Sequence, residues 1–178
     1  MREDDGLVPY MSVIRRLGVI FVILVGCVGC DQSSKHAARL FLEGREPISM
    51  FGDALRFSYV ENTGGFLGLG ATLPVHWRSG IFLGAAALVL GALLAYVILK
   101  KDIGATTVLG VTLVVGGGLG NIIDRIANGG HVVDFLNVGV GPLRTGIFNV
   151  ADMAVVLGVL ILMVAAGRWR GSGAENDG

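Results

Sequence analysis

The stretch GGGLGNIIDRIANGGHVVDFLNVGVGPLRTGIFNVAD, residues 116–152, decides how the rest of the chain is read. One apolar run ends inside it at Asp124, and another begins inside it at Asp152. Ionisable groups at the edge of membrane-length apolar segments are costly to keep and point to function. If the two runs are antiparallel neighbours, the loop between them returns the chain to the same membrane surface, and both carboxylates lie at one depth. Two facing carboxylates can share a proton: one activates water as a general base while the other, protonated, polarises a carbonyl. The pair Asp124 and Asp152 would then carry the chemistry of an aspartic protease.

Composition supports a membrane setting. The 178 residues are 53% hydrophobic and only 16% charged, with a mean hydropathy of +0.71, which excludes an ordinary soluble domain and predicts one integral membrane domain. The formal net charge is zero and no basic cluster with interleaved aromatics occurs, so no nucleic-acid partner is expected. The 29 glycines concentrate in the apolar runs, where small residues let helices approach closely in lipid. Cys27 and Cys30 form a C-x-x-C without the further ligands that a zinc site needs. Neither a metal nor an organic cofactor is expected.

Outward from the central stretch, the chain reads as an all-α membrane protein: four transmembrane helices with a small extracytoplasmic β subdomain. Spans are predicted at about 13–34, 79–99, 103–123 and 147–167 within a single peptidase domain, residues 13–167, flanked by cytoplasmic tails at 1–12 and 168–178. Residues 43–70 mix charges with turn residues and alternate Leu55, Phe57 and Tyr59 on one face, the pattern of short strands joined by tight turns. The first apolar run also admits a rival reading, since Leu24-Val25-Gly26-Cys27 after a basic pair resembles a lipoprotein signal peptide with its lipobox. Three further long apolar runs are not what a soluble lipoprotein needs.

Basic pairs supply the orientation. Arg15 and Arg16, Lys100 and Lys101, and Arg168 and Arg170 all fall on the cytoplasmic side if four spans cross the membrane, which puts both termini inside. Residues 31–78 and 124–146 then face outward and bring the polar candidates to one depth near the outer surface. Asp31 and Lys35 share a helix face at i, i+4 as an ion pair. Asn62 has the amide donors and acceptor to bind an extended peptide backbone, or to satisfy a turn. Asn121 lies three residues before Asp124, and Asn149 three before Asp152, each on the face of its acid. Arg125 reads as an interfacial anchor or partner of an acid, with substrate contact as the alternative; Asp134 competes for the dyad but reads first as a hydrogen-bonding residue of the site wall; and the lone His131 reads as structural.

Five short motifs in this order, DQSSK (31–35), ENTGGF (61–66), GNIIDR (120–125), VVDF (132–135) and FNVAD (148–152), resemble the lipoprotein signal peptidase family, signal peptidase II. The match spans most of the chain. It implies an aspartic endopeptidase of the bacterial inner membrane that cuts lipid-modified prolipoproteins just before their diacylglyceryl cysteine. It also implies that the β element cradles substrate near the active site, where Asn62 and Gly64 belong to the motif. The family pattern there reads Asn-x-Gly-Ala-Ala-Phe, and this chain is one residue shorter. The expected partners are prolipoprotein substrates and membrane lipids, with the chain acting as a monomer. Two other classes compete: a proton-coupled transporter, because intramembrane carboxylates also mark proton relays, and an assembly protein with glycine-rich docking helices. Against the transporter, the polar groups cluster at one face and no inner-side relay is visible.

Overall fold

The structure is a computed structural model that describes residues 12–63, 75–100 and 102–174. Four helices, α1 (Val13–Leu42), α2 (Val75–Leu99), α3 (Ala105–Ala127) and α4 (Val150–Ala174), accompany four strands, β1 (Ile48–Met50), β2 (Leu55–Asn62), β3 (Val132–Val140) and β4 (Leu143–Arg144). Among the described residues, three helical segments are long and apolar enough to cross a membrane: Val13–Leu42, Ala105–Ala127 and Val150–Gly167. The described apolar stretch of α2, Leu83–Leu99, is shorter.

Helix α3 is the hub, with α1, α2 and α4 each packed against it and α1 also touching α4. Small residues make this possible. A Cβ on Gly117 would collide with the carbonyl oxygen of Ala151 in α4, and one on Gly120 would come within 2.5 Å of the Asp31 carboxylate in α1. Backbones that close transmit position directly, so the polar ends of α1, α3 and α4 are held in fixed relation. Below them Ile20, Val97, Ile103, Val108, Val111 and Val115 form a buried apolar core. At the opposite end from the polar residues, Arg16 is buried and donates to the last carbonyls of α2, Ile98 at 3.2 Å and Lys100 at 2.6 Å. A guanidinium there satisfies orphan carbonyls and suits the negative end of the helix dipole.

The strands form one antiparallel sheet in the order β1-β2-β3-β4. The sheet corrects the boundaries read from the sequence. Half of its strands come from residues 132–144, so the β subdomain is not confined to 43–70. The apolar stretch VVDFL is a central strand, buried from Val132 to Phe135. A register shift between Phe57 and Val60 interrupts the β2–β3 pairing, while Phe57 and Tyr59 both pack against the same buried cluster. Helix α1 continues well past residue 34 to Leu42, because Ala38 and Leu42 bury themselves against Phe135, Phe57, Tyr59 and Leu136 of the sheet. Helix α4 likewise runs past residue 167.

Candidate active site

Where α1, α3, β2, β3 and α4 meet, nine polar side chains are packed into a continuous hydrogen-bonded network. Its first half is an ion cluster. Lys35 Nζ lies 2.8 Å from Asp31 Oδ2 and 3.0 Å from Asp124 Oδ2, and it donates to Asn121 Oδ1 at 3.0 Å. The ion pair expected of the i, i+4 spacing therefore forms, and Asp124 joins it. Gln32 donates its amide to Asp124 Oδ1 at 2.9 Å and Asp31 Oδ2 at 3.1 Å, and the Val133 N–H donates to Asp124 Oδ2 at 2.9 Å. Asp31, 0% exposed, accepts from the Ala151 N–H at 2.9 Å. Both oxygens of Asp124 are thus engaged by donors, one of them a cation. This carboxylate fastens α3 to α1 and to the start of β3.

The second half is differently made. Asn149 precedes the first turn of α4, and its side-chain oxygen accepts from the Asp152 N–H at 3.0 Å while Asp152 Oδ2 accepts from the Asn149 N–H at 3.2 Å. This reciprocal cap fixes Asp152 at the positive end of the helix. Asp152 Oδ1 accepts from Asn121 Nδ2 at 2.9 Å. The same Asn149 donates its amide to Asp134 Oδ1 at 2.6 Å and to Asn121 Oδ1 at 3.1 Å. Asn62 Nδ2 closes the set on Asp134 Oδ2 at 2.9 Å. Burial pushes the Asp134 carboxyl above its ordinary range, and the nearby charge of Asp152 adds to this against the opposing bonds from Asn62 and Asn149.

The structure brings together Asp31, Lys35, Asn62, Asn121, Asp124, Asp134, Asn149 and Asp152. Gly64 lies outside the described residues. Arg125 stands one residue beyond the cluster and donates to the Asn121 carbonyl at 3.2 Å, within its own helix. His131 contacts the Asn128 carbonyl at 2.9 Å, a loop bond in keeping with a structural role. Gln32 was not singled out in the sequence, although it stands inside DQSSK. An amide beside a paired Asp and Lys was the available signal. Among the described residues no group of acids, histidines and cysteines is arranged to hold a metal ion.

Beside Asp152 lies an apolar cavity of about 530 Å³. Ile147 and Phe148 form one wall, and Met153, Val156 and Leu160 continue it down α4. A carboxylate thus sits at the edge of an apolar space large enough for part of a lipid or an apolar side chain.

The family model for signal peptidase (SPase) II matches residues 22–167. The lipoprotein signal peptidase of Syntrophus aciditrophicus is 31% identical over 147 residues, which cover 82% of this chain and 91% of that one. That of Moorella thermoacetica is 38% identical over 133 residues, covering 74% and 81%. A solved bacterial membrane enzyme superposes with a TM-score of 0.73 at 26% identity, over 84% of this chain and 92% of its own.

Proposed function

The chain belongs to the signal peptidase II family, and from that premise we propose that it is an aspartic endopeptidase that removes signal peptides from diacylglyceryl-modified prolipoproteins, cutting before the lipidated cysteine. The dyad of this proposal is Asp134 and Asp152. It replaces the pairing of Asp124 with Asp152 read from the sequence. The observation that carries the choice is Asn149, whose one side chain caps Asp152 and grips Asp134, joining the two acids. Asp124 instead spends its oxygens on Lys35, Gln32 and the Val133 N–H. A carboxylate held by a cation and two further donors serves to tie α1, α3 and β3 together.

In the reaction, Asp152 removes a proton from water as the oxygen attacks the scissile carbonyl. Asp134, whose carboxyl burial shifts toward the protonated form, gives its proton to the carbonyl oxygen as the tetrahedral intermediate forms. Collapse returns that proton to Asp134, and the proton held by Asp152 passes to the departing amine of the cysteine. Asn121 and Asn149 hold Asp152, and Asn62 and Asn149 hold Asp134, in the geometry that this exchange requires. The apolar cavity beside Asp152 suits the lipid on the cysteine, which must lie near the dyad when the bond before it is cut.

The same reading has α2 as a fourth span, both termini in the cytoplasm, the dyad near the outer surface of the inner membrane, and a monomer as the working unit. Cleavage of a lipid-modified prolipoprotein by purified protein tests it. Asp134→Asn and Asp152→Asn should each lose about 10²- to 10⁴-fold or more in turnover while remaining folded. Asp124→Asn should keep measurable turnover with reduced stability. Normal turnover by folded Asp134→Asn, with none from folded Asp124→Asn, would restore Asp124 to the dyad.

A further inference from the structure

The end of the sheet farthest from the dyad is apolar and exposed. Two turns meet there: residues 51–54 between β1 and β2, and residues 141–142 between β3 and β4. The Gly139 N–H donates to the Ala54 carbonyl at 2.9 Å, and Arg144 Nη1 donates to the Asp53 carbonyl at 2.7 Å, so the turns are tied side by side. Phe51 (77% exposed), Val140 (79%) and Leu143 (82%) project from this tip, with Met50 and Val138 beside them. Phe51 also holds a positive φ of 54°, in the left-handed region that a bulky side chain rarely occupies. The chain thus keeps a large apolar side chain both strained and uncovered. Such outliers persist where the surrounding structure imposes them, and they concentrate at functional positions.

Helix α1 gives the depth of this tip. At about 1.5 Å per residue, Asp31 stands about 22 Å from Arg16 along the helix, and Leu42 about 39 Å. A hydrocarbon core is about 30 Å thick and the bilayer with headgroups about 40–45 Å. If Arg16, which caps the end of α2, marks one boundary of the core, the carboxylate cluster falls inside the opposite boundary, and Leu42 reaches the outer edge of the headgroup layer at a tilt of about 20°. Leu40 and Phe41, on the last turn of α1, are accordingly exposed and apolar. The sheet packs on Ala38 and Leu42 at that same level. A sheet standing upright in water from there would carry its apolar tip into solvent, whereas one lying along the surface would set the tip against lipid.

We propose that the paired turns around Phe51 and Leu143 insert into the boundary between headgroups and acyl chains, so that the sheet lies along the membrane surface with Asp134 held at the depth of Asp152. The occupant of this apolar surface is phospholipid. Arg56 and Arg144, both paired to Asp53 just behind the tip, lock the two turns together and leave one net positive charge at headgroup level. This matches the amphipathic profile of segments that rest in an interface. The proposal depends on the membrane setting and not on the identity of the dyad.

The test uses full-length protein in phospholipid vesicles with both native cysteines replaced by alanine and a spin label at Phe51→Cys, Leu143→Cys or the exposed loop position Glu46→Cys. Labels at 51 and 143 should collide with oxygen several-fold more, and with a water-soluble nickel chelate several-fold less, than the label at 46. Equal chelate access at all three positions would overturn the proposal. Protection at 51 and 143 in native membranes but not in vesicles of pure phospholipid would also overturn it, assigning the surface to a protein partner. As a second readout, the Phe51→Ser/Leu143→Ser variant should have a several-fold higher KM for substrate presented in vesicles, with kcat on detergent-solubilised substrate unchanged. An unchanged KM in vesicles would count against insertion.

Discussion

Lys35 is the cation in contact with two buried carboxylates, Asp31 and Asp124, and its third bond orients Asn121. With the Asn121 oxygen turned to Lys35 and Asn149, its amide nitrogen is left to donate to Asp152. Removing one partner from a buried ion pair leaves uncompensated charge and costs about 3–5 kcal/mol. Lys35→Met should therefore lower the thermal midpoint in detergent sharply and reduce the yield of folded protein, apart from any loss of activity. Asp134 yields a prediction of the opposite kind. Its folded carboxyl titrates above the ordinary 3.8, chiefly through burial, so between those two values the folded chain holds a proton that the unfolded chain has released. Stability should fall as pH rises through that window, because ionisation is easier in the unfolded chain. Asp134→Asn removes the titration, and melts from acid to neutral pH should have a flatter profile than the parent.

At the scale of elements, the α3–α4 contact sets how well Asn121 can reach Asp152. Gly117 faces the Ala151 carbonyl with no room for a Cβ, whereas Gly91 in α2 has open space around it. Gly117→Ala should destabilise by about 1–3 kcal/mol, the usual cost of overpacking, and should lower turnover by displacing α4. Gly91→Ala should be neutral or slightly stabilising, since alanine is the better helix former. Paired melts and cleavage assays check both. Cys27 packs beside Gly116, where an added Cβ would lie 2.8 Å from the cysteine Cβ, so it serves the contact between α1 and α3. Cys27→Ala should keep its activity, and intact mass should give an uncleaved chain without lipid on Cys27.

For the whole molecule, reporter fusions after Lys101 and Arg170 should report cytoplasm and fusions near Gly52 and Gly141 the outside. An external signal after Lys101 would invert two spans and remove the argument for a common depth. Much of this architecture was legible in the sequence, because the membrane setting acts on composition directly: uncharged runs, basic pairs and clustered glycines are each imposed by lipid one residue at a time. The polar candidates were legible too, since a charge beside an apolar run is conspicuous wherever the chain later folds. The partnerships among them were not. Asp124 looked like a dyad member from its helix-end position, yet Lys35 and Gln32, which occupy its oxygens, lie about ninety residues earlier. Asp134 looked like wall material because VVDF carries no helical register; the pairing of β3 with β2 sets it against Asn62, and the bridge from Leu136 to Phe148 sets it against Asn149. Sequence determined which groups are too costly to be idle; tertiary structure decided which of them touch, because that depends on contacts a few ångströms long between residues far apart in the chain.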